Sequence, residues 1–185
     1  MSRRIYTHDH PQRCVIGTVG EPGDRSFFLQ ARSTGQLNAV AIDKQQAQLL
    51  AERIEDLLDD LVERDLIPAV DAQLRADLLD DEPLDLPIQP NFRSGVLGLG
   101  WNRQQAVVVI EAFDAGVDTR DTPDLESDST AGPDTLRIRL DPAAAREFVR
   151  RSRTVVAAGL PTCPFCQLAL DPAGHVCPRA NGYRR

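Results

Sequence analysis

The sequence predicts an α+β fold, an antiparallel sheet with two amphipathic helices arranged as two related ββ(β)α units, followed by a small cysteine-rich C-terminal element. Three observations carry this reading. Short apolar runs separated by turn signals precede each helical pattern. The two strand-to-helix junctions repeat at a constant offset of 98 residues. Three of the four cysteines stand within residues 163–177, beside one of only three histidines.

The first strands lie in "CVIGTVGEPGDRSFFLQARSTGQLNAVAI", where Gly20-Glu-Pro-Gly-Asp24 and Ser33-Thr-Gly35 divide three β-prone runs into an antiparallel meander. Asp43 then reads as a helix N-cap, with Gln46 three residues on completing a variant of the capping box. Ala47, Leu50, Ala51, Ile54, Leu57, Leu58, Leu61 and Val62 follow at the spacing of one helical face, which predicts an amphipathic helix of roughly five turns.

Beyond Pro68 the spacing allows one more short helix, and prolines at 83, 87 and 90 carry the chain to a new element. "SGVLGLGWNRQQAVVVIEAF" predicts a second hairpin turning near Asn102 and Arg103. Residues 114–134 are acidic and poor in apolar side chains, the composition of a flexible loop. Leu136, Ile138 and Leu140 alternate as a strand, and Asp141-Pro142 opens a helix that buries Ala145, Phe148, Val149, Val155 and Val156 and stops at Gly159. Ile42 with Leu140, Asp43 with Asp141, Ala47 with Ala145 and Leu50 with Phe148 set the 98-residue offset. The expected organisation is an α+β body over residues 1–159 and a separate C-terminal element over 160–185.

At 185 residues and 42% hydrophobic, the chain suffices for one core and a small appendage. No apolar run reaches the length of a membrane span, and no signal-peptide h-region follows the N-terminus, so a soluble cytoplasmic protein without a membrane role is expected. The net charge of -7 is uneven. Residues 52–85 hold 13 acidic and three basic side chains, whereas residues 137–185 hold nine arginines and three acids. Acidic faces repel phosphate backbones, which argues against duplex nucleic acid as a partner and leaves only a weak nucleic-acid role for the basic end.

In a reducing compartment, Cys163-Pro-Phe-Cys166 followed by His175-Val-Cys177 reads as zinc ligation rather than as a disulfide framework. A CxxC turn presents two thiolates to one ion, and the Asp171-Pro-Ala-Gly174 reversal can bring His175 and Cys177 back to complete a Cys3His tetrahedron. Four protein ligands leave no open coordination position, so the Zn2+ is expected to be structural. A segment this short cannot bury enough apolar surface to fold alone, and zinc ligation supplies on the order of 10 kcal/mol or more in isolated peptides. Arg179, Tyr183, Arg184 and Arg185 follow the ligands and are the expected interaction residues, presented to a protein partner from a rigid anchor. Cys14 reads as a small core residue, and Trp101 as a cover on the core in preference to a surface anchor.

Gly17, Gly20 and Gly23 are spaced like a phosphate loop, but no helix with a lysine follows, and turn glycines fit better. His8 and His10 could bind a metal but lack a third ligand, at a terminus expected to be mobile. No nucleophile motif is visible. The alternative to an adaptor is an enzyme whose site forms between the two halves from groups such as Arg25, Asp43, Glu111 and Arg139, which sequence alone cannot bring together.

The ending Cys163-Pro-Phe-Cys166, Leu170-Asp-Pro-Ala-Gly-His175-Val-Cys177-Pro-Arg-Ala-Asn-Gly-Tyr183, with "GTVGEPGDRSFFLQAR" and "GLGW" before it, resembles a family of uncharacterised actinobacterial signature proteins that includes ParJ. The resemblance spans nearly the whole chain. It implies one candidate partner, a ParA-type chromosome-partitioning ATPase, and carries over no catalytic residues.

Overall fold

The computed structural model describes residues 2–21, 23–116, 122–158, 163, 165 and 177. Its strands are β1 (Ile5–Asp9), β2 (Arg13–Val19), β3 (Ser26–Ser33), β4 (Gln36–Ile42), β5 (Pro90–Asn102), β6 (Val107–Asp114) and β7 (Thr135–Leu140), with helices α1 (Lys44–Glu63) and α2 (Pro142–Ala157). The strands form one 7-stranded sheet in the order β1-β7-β6-β5-β4-β3-β2. Two meanders, β2-β3-β4 and β5-β6-β7, each run antiparallel and each lead into a helix.

The sheet is mixed rather than wholly antiparallel, which corrects the expectation from sequence. β4 pairs β5 in parallel, and β1 pairs β7 in parallel. Parallel neighbours require a crossover, and α1 with the segment after it supplies one between β4 and β5. β1 was not foreseen, because "IYTHD" is neither strongly apolar nor regularly alternating. Its pairing from Ile5↔Thr135 to Asp9↔Arg139 comes from the far end of the body. The N-terminal stretch expected to be mobile is therefore an edge strand of the sheet.

Only residues 10–12 separate β1 from β2, yet these strands lie at opposite ends of the sheet order. So short a link cannot cross a flat sheet of this width, so the sheet curls until its two edges approach. Its concave face holds the core. Leu29 opposite Val40, and Ile110 opposite Ile138, meet α1 and α2 there, and all four are completely or almost completely buried. Burial of each such side chain contributes about 1.5–3 kcal/mol.

α1 begins as expected. The Gln46 backbone N–H donates to the Asp43 carboxylate at 2.8 Å, and the Asp43 N–H donates back to the Gln46 side-chain carbonyl at 3.0 Å. Ala47, Leu50, Ala51, Ile54, Leu58 and Leu61 are buried, while Leu57 and Val62 are half-buried. At α2 the expectation holds less fully. Asp141 occupies the N-cap position without a side-chain capping bond, and its carboxylate instead faces His10 at 3.0 Å. Ala145, Phe148 and Val149 are buried, as are Glu147, Arg151 and Ser152, whereas Val155 and Val156 are half-buried. The expected short helix after Pro68 is one 3-10 turn, Ala76–Leu78.

Two acidic segments cover the convex face. Residues 77–86 lie over β2 and β3, where Gly17 leaves room for Leu84: a Cβ on Gly17 would stand 2.5 Å from the Leu84 side chain. Gly17 is thus a strand residue at a close approach, not the turn glycine expected, whereas Gly20 and Gly23 do have positive φ. Residues 122–134, part of the stretch whose composition suggests a flexible loop, lie over β5 to β7, with Leu125 against Gly98 and Gly100. No helix among the described residues is long and apolar enough to cross a membrane.

Candidate metal centre

Cys163 and Cys177 are both buried, and their Sγ atoms are 3.7 Å apart. A disulfide would hold them near 2.05 Å. With Zn–S bonds of about 2.3 Å, two thiolates sharing a tetrahedral ion are separated by about 3.8 Å, so this pair fits one edge of such a site. Phe165, between the two cysteines of the CxxC turn, is exposed. Cys166, His175, Arg179, Tyr183, Arg184 and Arg185 lie outside the described residues. Among the described residues no group of three or more histidine, cysteine or acidic side chains could hold a metal.

The four groups considered for an enzyme site go to different places. Asp43 caps α1. Arg25, in the β2–β3 turn, donates to the carbonyl of Ala158 at 2.8 Å. Glu111 and Arg139 project from neighbouring strands on the convex face, and both are used to hold residues 122–134: Glu111 accepts from the Glu126 N–H at 3.3 Å, and Arg139 donates to the Glu126 carboxylate at 2.7 Å.

The family described as "Protein of unknown function (DUF3090)" matches residues 6–177. The chain belongs to this family. Comparison of the DUF3090 chain with curated proteins and with solved structures finds no match.

What sequence reasoning missed in this DUF3090 chain is a set of buried arginines. Arg137 is buried against Glu111, whose carboxylate accepts from its Nε, and it donates to Asp128 at 2.7 Å and to the Ser127 carbonyl at 2.8 Å. Arg3 donates to Ser127 and Thr135 beside it. The Arg137 guanidinium holds the exposed Asp128 carboxyl below the usual carboxylate range. On the other half, Arg13 donates to Asp80 at 2.6 and 3.1 Å and to the Glu82 carbonyl at 2.7 Å, while Arg151 reaches Asp80 at 2.9 Å. Burial works against the Asp80 anion, but Arg13, the Glu82 N–H and Arg151 together lower its pKa. The available signal was the placement of arginines at apolar-periodic or strand-alternating positions, which a count of net charge hides.

His8 and Cys14 are both accounted for by packing. The His8 ring is completely buried, 2.8 Å from Ser33 Oγ and 3.0 Å from Asn38 Oδ1. Burial lowers its pKa, so it stays neutral, with Nε2–H donating to Asn38 and Nδ1 accepting from the Ser33 hydroxyl. Cys14 is half-buried against the core, and burial pushes its thiol pKa well up, which disfavours the reactive thiolate. Trp101 is likewise half-buried and packed on the core.

Proposed function

We propose that this protein is a non-enzymatic zinc-binding adaptor or regulator, in which a C-terminal Cys3His element over residues 160–185 binds structural Zn2+ and presents a surface to a protein partner. The observation that carries the reading is the Cys163–Cys177 pair: two buried sulfurs 14 positions apart in sequence, at a separation suited to a shared tetrahedral ion. The CxxC and HxC spacing supplies Cys166 and His175 as the other two ligands. Bound there, the ion would cross-link a short segment that has little apolar surface of its own.

The interaction surface in this reading is Arg179, Tyr183, Arg184 and Arg185, just beyond the last ligand. The resemblance to the actinobacterial family that includes ParJ makes a ParA-type ATPase the first partner to try. The body carrying this element reads as two copies of one three-strand-plus-helix unit, on the 98-residue offset and the matching order of the two meanders. The test is affinity capture from native cytosol with wild type and with Cys163→Ser/Cys166→Ser, followed by titration of the captured protein. Loss of one specific partner with the zinc supports the adaptor reading. Identical captures from both proteins would remove the zinc element from the interaction and turn attention to the acidic face of α1.

A further inference from the structure

β5 changes partners along its length. Its first residues pair with β4 at Ala39↔Pro90, Val40↔Phe92 and Ala41↔Arg93. β4 then ends at Ile42 and the chain turns into α1, so β5 runs on with β6 alone, from Ser94↔Asp114 to Asn102↔Val107. The Gln46 side-chain amide reaches the carbonyls of Ser94 and Gly95, at 3.5 and 3.3 Å. Past that point, among the described residues, no strand pairs with the outer edge of residues 96–102.

A register irregularity between Ser94 and Val96 marks the start of this edge, but the edge beyond it carries neither of the side-chain features that protect exposed strands. "VLGLGWN" contains no charge and no proline, and every residue in it is half-buried. On the concave side Leu97, Leu99 and Trp101 form an apolar row opposite Ala112, Ile110 and Val108. The row continues into a shallow groove walled by Leu49, Leu50 and Arg53 of α1, with Leu49 exposed by 53%. An open main-chain edge beside an apolar groove fits an added strand of alternating apolar character.

We propose that the occupant is the same strand of a second copy, antiparallel about a two-fold axis beside Leu99, so that two sheets join through β5. The edge is complementary to itself. With Leu99 at the axis, Leu97 falls opposite the partner's Trp101, and Gly98 opposite the partner's Gly100. An uncharged strand meets its copy without like-charge repulsion. The ends are complementary in charge. Arg103, exposed just after β5, falls opposite the Gly95 end of the other copy. That end carries two acids beside the exposed base Arg93: Asp114, paired with Ser94, and Asp43, whose N–H is held by the same Gln46 that reaches Gly95. A two-fold axis forms each of these contacts twice.

The experiment is sedimentation velocity and light scattering of the full chain across the micromolar range, with folding checked by circular dichroism. Wild type is expected to dimerise. Leu99→Lys and Leu99→Glu are each expected to be monomeric, and an equal mixture of the two to recover the dimer, because residue 99 meets its own copy at the axis. Arg103→Glu, at an exposed turn, should weaken the dimer about tenfold, since the rim contact is lost twice. If the Leu99 variants do not fold, Arg103→Glu and concentration-dependent amide exchange over residues 96–102 decide. A wild type monomeric at every concentration overturns the proposal, whether or not those amides are protected, as does a dimer indifferent to these substitutions. The outcome is independent of the zinc content, which is measured separately.

Discussion

The ring of His8 on β1 lies 3.0 Å from the side-chain oxygen of Asn38 on β4, although three strands separate these two in the sheet. The bond crosses the concave face and ties one end of the curled sheet to its middle. Asn38 also accepts from Gln36 and donates to Asn91, so the polar chain closes without an unpartnered group.

Burial of His8 sets a pH dependence. Its pKa is depressed on folding, chiefly by desolvation, while the Asn38 bond and the charge of Asp9 pull the other way. As pH falls below the ordinary value of about 6.5, the unfolded chain takes up the proton first, so this contribution to stability is present above that pH and is lost below it. The urea midpoint should therefore drop between about pH 6.5 and 5, above the range where carboxylates titrate. His8→Gln should flatten that part of the profile; an unchanged slope would mean that His8 is not the group responsible.

Arg137→Met leaves the completely buried Glu111 side chain without its main cation. The expected cost is about 3–5 kcal/mol, and Glu111→Leu in the same chain should return part of it, because an apolar pair of similar volume replaces a buried ion pair well. Arg137 also holds Asp128 and the Ser127 carbonyl. Limited proteolysis should accordingly reach residues 122–134 sooner in the single variant than in wild type. Equal urea midpoints for wild type and Arg137→Met would refute the assignment.

Gly17→Ala forces a methyl group to within 2.5 Å of Leu84, which is itself buried. Overpacking of this kind costs about 1–3 kcal/mol. Combined with Leu84→Ala the clash disappears, so the two substitutions should be strongly non-additive in a double-mutant cycle. Additive effects would show that residues 77–86 do not pack on β2 in solution.

Protein purified without chelator should carry one zinc per chain by native mass spectrometry. Cys163→Ser should abolish that stoichiometry and Cys14→Ser should leave it intact, since Cys14 sits in β2 against the core. In the folded protein Cys14 should also react slowly with thiol reagents, because burial raises its pKa. Metal-free wild type would end the zinc reading.

The sequence by itself determined the local pieces: the α1 capping box at Asp43, the buried face from Ala47 to Leu61, the first meander, the β5–β6 hairpin, and the CxxC and HxC spacing. These are legible because caps, turns and 3.6-residue periodicity depend on neighbours within one or two turns of chain. Only the tertiary structure decided that "IYTHD" is a strand, that two strand pairs are parallel, and that residues 122–134 lie on the sheet. Only it brought Cys163 within 3.7 Å of Cys177. β1 pairs with residues about 130 positions away, and a histidine or arginine can be buried only where a partner from another element satisfies it. That condition is met at His8 by Ser33 and Asn38 and at Arg137 chiefly by Glu111, partners 25 to 30 positions away that no local window contains.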